Sequence, residues 1–544
     1  MAPLYEVADR VTRSDVVRPA APPKRRWWLA AGGVLLVGYL FIGYLAIART
    51  TPANADGASN AMQAWDMLHG NVMLRGWSVT DVSFYTNELL INAVVELLYG
   101  YRADTIHVAA ALTYTLLVLV VAAVARGRAT GREAVFRIAA AVAIVGVPVL
   151  GMGASVQLSA PDHTGTAIPL LLAWLALERG KPWLVSVVLA LGVVSDPLVL
   201  YIGVLPLVVV CGYRLLRRRS RSDGYFVAAG LAAVVFAQVA LIALRLAGGF
   251  GIHSPEAEFA PIADLPEHVR ITAQTLSVDF GAFFPNRAGA FGTALGVLHL
   301  VGLLTVGATV GVVAVRLLRS RGDDRVVELA AVGILVNVGA YAVSTLPGDL
   351  GTSRQVVAVV PLGAVLVGRV WGPRLATARL RVRLGMAAVL VALAVELAVQ
   401  STARPVVAEG HEVAAWLDQQ GLRYGIGSYW MANNVTVDTS GRVRVAPVTG
   451  GDTLRAYRWE SRADWYDPAL HDARFVVVDK RSTTHGTEAG ALRQFGQPVA
   501  RHEFAEATVL VYDRNLLSGL TAYCVPEGAP SIAECPGHRI PRFW

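Results

Sequence analysis

Four acidic side chains stand among aromatics and amides in one stretch of this 544-residue chain: Asp56, Asp66, Asp81 and Glu88. The stretch runs from Asp56-Gly57-Ala58-Ser59-Asn60 through Trp65-Asp66-Met67-Leu68-His69-Gly70-Asn71 to Ser83-Phe84-Tyr85-Thr86-Asn87-Glu88. A carboxylate in such a place can take a proton from an attacking hydroxyl, or accept a strong hydrogen bond from it. Asp56 would equally serve as the cap of a helix starting near Ala58, where it would satisfy orphan N–H groups. His163, in Ser159-Ala160-Pro161-Asp162-His163-Thr164-Gly165, can position a sugar or shuttle a proton near neutrality. A capped turn accounts for that segment as well, and Asp162 with His163 makes only two metal ligands. Arg354 ends Gly348-Asp349-Leu350-Gly351-Thr352-Ser353-Arg354. Its planar fork of donors suits a phosphate, and it would also suit a lipid headgroup. Asp196 precedes Pro197 and reads as a helix cap with proline at the first helical position.

The elements that must position these groups are membrane spans. The chain is 54% hydrophobic and 16% charged, with a mean hydropathy of +0.49, which excludes an ordinary soluble domain. Apolar runs near 27–48, 105–125, 136–153, 164–178, 182–195, 197–213, 225–246, 289–316, 326–345, 355–370 and 384–400 predict about eleven spans. Basic clusters fall on alternate loops, at Arg126/Arg128/Arg132, Arg179/Lys181, Arg214–Arg221, Arg316–Arg325 and Arg374–Arg383. The positive-inside bias makes these loops cytoplasmic. The chain is then a multi-pass protein of the plasma (inner) membrane, with a cytoplasmic N-terminus and an extracytoplasmic C-terminus. The net charge of +8 belongs to these topology signals, so membrane lipid is an expected partner and nucleic acid is not.

Loops near 49–104, 153–166, 247–288 and 346–354 are placed outside. Residues 1–26 form a cytoplasmic tail, 27–400 a transmembrane domain and 401–544 an extracytoplasmic α/β domain. That last part predicts helices over 409–420 and 487–495 and strands over 442–448, 475–479 and 508–512. Its aromatic groups, Tyr429-Trp430 with Asn433-Asn434 and Trp459-Glu460 with Trp465-Tyr466, suit sugar stacking, although a small core is the commoner use. Cys524 and Cys535 lie where oxidation is permitted and could close a short loop; Cys211, at the end of a span, reads as inert.

Asp56, the helical Ala61–Leu68, the turn Met67-Leu68-His69-Gly70-Asn71, Gly76-Trp77 and Phe84-Tyr85 together resemble the first periplasmic loop of a known group. These are the lipid-linked glycosyltransferases of the GT-C fold, which include aminoarabinose transferases and protein mannosyltransferases. Arg354 ahead of Val359-Val360-Pro361-Leu362 resembles their arginine before a proline-containing span. The resemblance implies an all-α polytopic, GT-C-like membrane domain bearing the α/β domain. It implies a membrane glycosyltransferase that moves a sugar from a polyprenyl-phosphate donor to a cell-envelope glycan, lipid or protein. Asp56 matches the catalytic position and would act as base; Arg354 would hold the donor phosphate. Asp81, Glu88, His163, Asn60 and Tyr85 are the accompanying substrate-binding candidates. Gly57 stands where better-known members carry a second acid, and Ser83–Glu88 replaces their Lys-Pro-Pro-type segment. No metal ligands are assigned and no cofactor is required, with a divalent metal left open. A lipid-linked donor agrees with the lack of any phosphate-cradling glycine-rich loop in the sequence. Two other readings are a transporter or flippase of a lipid-linked envelope precursor and a non-catalytic envelope scaffold. The transporter needs ionisable groups deep in the spans or matched broken helices. The span interiors carry few charges apart from end positions such as Arg245 and Glu396.

Overall fold

Each of the apolar runs contains a helix in the computed structural model, the run 136–153 breaking off at Val145, and the structure describes residues 23–520 apart from 160–162, 254–256, 288, 320–321 and 323. Asp162, Cys524 and Cys535 lie outside the described residues. Among the described residues eight helices are long and apolar enough to cross a membrane: Ala30–Ala48, Thr105–Arg126, Leu200–Arg217, Arg221–Leu246, Gly289–Leu318, Arg325–Val343, Val359–Thr377 and Leu380–Gln400. Three of the expected spans are shorter helices, Gly131–Val145, Ala167–Glu178 and Pro182–Ser195. At 1.5 Å per residue these fall short of a hydrocarbon core of about 30 Å. The protein is a mostly helical, multi-pass membrane protein with a C-terminal α/β region.

Small residues let the bundle close. Gly368 and Gly372, one helical turn apart on Val359–Thr377, face the backbone of Gly131–Val145. A Cβ on Gly368 would stand 2.6 Å from the Arg137 carbonyl, and one on Gly372 2.7 Å from the Arg137 Cα. Close backbone approach of this kind drives helix association where no hydrophobic gain is on offer. Several buried charges of the bundle are paired: Arg369 with Asp324 at 2.9 Å and Glu178 at 2.7 Å, and Arg214 with Glu328 at 2.9 Å. Glu396 is held by Arg287 at 2.5 Å and His299 at 2.8 Å. It is therefore an internal link between two helices and not a rim charge as its place near a span end suggested.

At one end of the bundle the first loop is ordered. Its ends are pinned where the Arg49 guanidinium donates to Asp104 (Nε–Oδ1 2.9 Å) and the His107 ring meets the Thr51 carbonyl at 3.1 Å. We label the helices α1 (Pro23–Ala48), α2 (Ala55–Leu68), α3 (Glu88–Tyr99) and α4 (Thr105–Arg126), with strand β1 (Trp77–Val79) between α2 and α3. β1 pairs in parallel with β2 (Gly251–Ile252) and antiparallel with β6 (Ser461–Arg462). Three segments far apart in sequence thus share one small sheet.

The C-terminal region builds a six-stranded sheet from β3 (Tyr424–Ser428), β4 (Arg444–Thr449), β5 (Arg455–Ala456), β7 (Phe475–Asp479), β8 (Ala500–Glu503) and β9 (Ala507–Val511), in the order β5-β4-β3-β7-β9-β8. β4, β3 and β7 are parallel, and the remaining pairs are antiparallel. Strand alternation sorts the side chains onto two faces. Val445, Phe475, Val477 and Val509 pack with the helices His411–Gln419 and Tyr429–Asp438. Ala446, Val476, Val478 and Leu510 pack into a core that takes in Ala58, Met62, Trp77 and Leu89 of the first loop.

Candidate functional site

The first turn of α2 is capped by Asn54, whose side chain accepts the Gly57 N–H at 2.8 Å. The cap expected of Asp56 therefore belongs to a residue two places earlier, because Asn54 is the one in extended backbone at the helix start. Asp56, half-buried, reaches across to the α/β region instead. Its Oδ1 accepts from the Tyr429 hydroxyl at 2.5 Å, and the same hydroxyl lies 2.7 Å from Glu460 Oε2. Burial, then the charges of Glu460 and Asp56, push the Tyr429 phenol well above its ordinary value and keep it protonated. Glu460 itself is buried and held at φ +48°, a left-handed conformation that a non-glycine residue keeps only when its surroundings impose it.

A second group forms where α3 begins and the short membrane helices end. His163 Nδ1 lies 2.6 Å from Asp196 Oδ2, and Thr166 donates to the same oxygen at 2.5 Å. Asp196 Oδ1 accepts the Leu198 N–H at 2.8 Å, so the capping role read from Pro197 holds and the other oxygen orients an imidazole. A carboxylate that fixes one ring nitrogen of a histidine sets its tautomer and direction. His163 also sits at φ +55°. Asp81 is close enough to feel the pair: burial raises its pKa, His163 and Arg354 lower it, Asp196 raises it, and the outcome is above the ordinary value. Arg354, on the 3-10 turn Leu350–Gln355, is exposed at the head of the helix Val359–Thr377.

Glu88 completes this group from the first turn of α3. It is fully buried; Oε2 lies 3.4 Å from the Ser195 hydroxyl and Oε1 has no partner among the described residues. Burial, reinforced by Asp196, pushes it up to about 8. An acid raised in the folded state favours folding below about 4.5 and loses that advantage as pH climbs to about 8. Glu88→Gln is therefore expected to melt at the parent's temperature near pH 4.5 and above it at pH 8. The gap should widen by up to about 1.4 kcal/mol per pH unit between those limits. A gap independent of pH would show that Glu88 ionises normally. Gly165 presses on the same carboxyl: a Cβ there would stand 2.3 Å from Glu88 Oε1 and 3.0 Å from Asn87 Nδ2. Gly165→Ala should destabilise by about 1–3 kcal/mol, read as a lower melting temperature, and an unchanged melt would deny this close approach.

The chain thus brings Asp81, Glu88, His163 and Arg354 together, while Asp56 joins Tyr429 and Glu460. Asn60 lies on α2 one turn beyond Asp56, buried, with its Oδ1 unpartnered among the described residues. Tyr85 donates to the Val72 carbonyl at 2.8 Å and packs its ring 5.1 Å from Phe250. Asp66 is a clasp, accepting from Trp77 Nε1 and from Arg462, each at 2.8 Å. Asp196, Tyr429 and Glu460 join these groups although the sequence reading makes Asp196 a helix cap and places Tyr429 and Glu460 in aromatic groups suited to sugar stacking or a small core. Pro197 marked Asp196 as a cap only, and Tyr429 is 373 residues from Asp56. Among the described residues no three His, Cys, Asp or Glu side chains gather as a metal site.

No family model matches the sequence, and no curated protein matches it. Solved structures do. ArnT from Cupriavidus metallidurans in the apo state superposes with a TM-score of 0.51 at 15% identity, over 92% of this chain and 99% of that one. ArnT of the same organism bound to undecaprenyl phosphate gives 0.49 at 15% identity, over 90% and 99%. At this identity the likeness is one of fold: the chain shares the fold of ArnT, membrane helices and α/β region together.

Proposed function

We propose that the protein is a membrane glycosyltransferase that takes a sugar from a polyprenyl-phosphate carrier and gives it to a cell-envelope acceptor. The work is done on the extracytoplasmic face, where residues 401–544 form an outer domain over the transmembrane domain 27–400. One observation carries the reading: within a GT-C fold, Arg354 at the head of a span lies in charge range of the first-loop carboxylate Asp81, beside the His163–Asp196 pair. A cation for a phosphate and acids for a hydroxyl then share one end of the bundle, and the arginine-rich loops lie at the other, as the positive-inside bias requires.

In this reading the acceptor oxygen attacks the anomeric carbon and the bond from that carbon to the phosphate oxygen breaks. The acceptor proton passes to Asp56, whose carboxylate the Tyr429 hydroxyl holds in place. The leaving group is the lipid phosphate, and the Arg354 guanidinium stabilises the charge that builds on it. Asp81, Glu88, His163, Asn60 and Tyr85 shape the surroundings of the two substrates. The test is a panel of radiolabelled polyprenyl-phosphate sugars offered, with crude envelope acceptors, to the purified protein in lipid. Label should pass to an acceptor with at least one donor; no transfer from any donor by folded protein would overturn the proposal.

A further inference from the structure

The α/β region contains a crevice that the chemistry above does not use. β3 runs between β4 and β7, all three parallel. The chain leaves β3 through the helix Tyr429–Asp438 toward β4, whereas β7 lies on the other side of β3. Connections that depart on opposite sides of neighbouring parallel strands open a gap at the strands' carboxyl ends, and ligands of open α/β sheets bind in that gap. Here the gap is a crevice of about 430 Å³, with Trp430 just beyond β3, Asp479 at the end of β7, Arg481, Thr484 and His485 just after it, and Glu409 across from them. The Asp479 N–H donates to Ser428 Oγ at 3.0 Å and ties the two strand ends together beneath it.

The lining indicates what would fit. Trp430 is 42% exposed although it belongs to an otherwise buried helix. Its ring meets Tyr429 edge-on at 4.9 Å and lies 6.4 Å from His485. Arg481 bridges Asp479 and Glu409, each at 3.1 Å. One guanidinium between two carboxylates leaves the crevice with a net negative charge, which disfavours phosphates and uronic acids. Burial holds His485 below its ordinary value, so it adds no positive charge at neutral pH. An open aromatic face beside carboxylate and hydroxyl acceptors matches the apolar face and hydroxyl rim of a neutral sugar. Tyr429 connects this crevice to Asp56, touching Trp430 with its ring and Asp56 with its hydroxyl.

We infer that the crevice between the ends of β3 and β7 binds a neutral sugar residue of a glycan chain, stacked on Trp430. Calling that glycan the acceptor rests on the transferase reading; the binding itself does not. The full chain in lipid nanodiscs, with no donor, is titrated with neutral oligosaccharides of mannose, arabinose, galactose and glucose and with an oligouronate. At least one neutral series should bind, with Trp430→Ala weakening it about tenfold and Trp430→Phe retaining most of it. In the unaltered protein, oxidative footprinting read by mass spectrometry should show Trp430 protected by that sugar, a result that needs no variant to fold. No neutral binder, binding unchanged in a folded Trp430→Ala protein, Trp430 unprotected, or preference for the oligouronate would each overturn the site. Label transfer without sugar at Trp430 would remove this site and leave the transferase. Sugar at Trp430 with no transfer from any donor would keep the site and remove the transferase.

Discussion

Asp56→Asn is expected to lower sugar transfer by about 10²-fold or more while the protein remains folded in the membrane. The substitution conserves shape. An asparagine oxygen still accepts the Tyr429 hydroxyl that now lies 2.5 Å from Asp56, and Asn54 still caps α2, so the helix and the contact with the α/β region survive. What disappears is the ability to receive a proton. Tyr429→Phe removes the positioning bond and keeps the base, so its effect should be smaller. The measurement is transfer of label by each variant at matched amounts of folded protein. Unchanged transfer by folded Asp56→Asn would move the base elsewhere, with the oriented His163 next to be tested.

Arg354→Ala should act on the donor. Its exposed guanidinium offers the planar fork that phosphate oxygens accept in pairs, and alanine offers nothing in its place. The expected result is a rise in the donor KM of about tenfold or more, with the acceptor KM little changed. Arg354→Lys should restore only part of the loss, because lysine brings charge without the fork. A second readout follows from Asp81. Arg354 is one of the groups that lower the pKa of Asp81, so the alanine variant should shift the acid limb of the pH profile upward. An unaltered donor dependence would assign the arginine to lipid headgroups.

The spans were legible because about twenty apolar residues in a row have few other uses, and each expected run contains a helix. The three shorter ones lie between 131 and 195, as helices of 12 to 15 residues whose apolar character marked them as spans although their length does not. In the α/β region, β4, β7 and β9 and two of the helices fall where alternation and helical period placed them. β3 escaped because Tyr424-Gly425-Ile426-Gly427-Ser428 lacks the β-branched signal. Packing needs those glycines: a Cβ on Gly425 would stand 2.3 Å from the Phe475 ring, and one on Gly427 2.8 Å from Val445. The helix Tyr429–Asp438 escaped for the opposite reason, since burial on nearly every side erases an amphipathic period.

The candidate site was legible one residue at a time and not as a constellation. Acid, histidine and arginine stood out by type and by their place outside the spans. Their grouping depends on tertiary approach across 30 to several hundred residues, which local pattern does not encode. Aromatics show the same limit: Trp465 and Tyr466 are buried in the core while Trp430 stays open, a division that composition alone does not draw.

The most direct test of the account is the fate of the carrier. Sealed vesicles holding the protein are given a polyprenyl-phosphate sugar labelled in both lipid and sugar, together with envelope acceptor. The account predicts that free polyprenyl phosphate appears in step with glycosylated acceptor, and only while Asp56 is present. A carrier that crosses the bilayer with its sugar still attached would contradict it and make the protein a transporter.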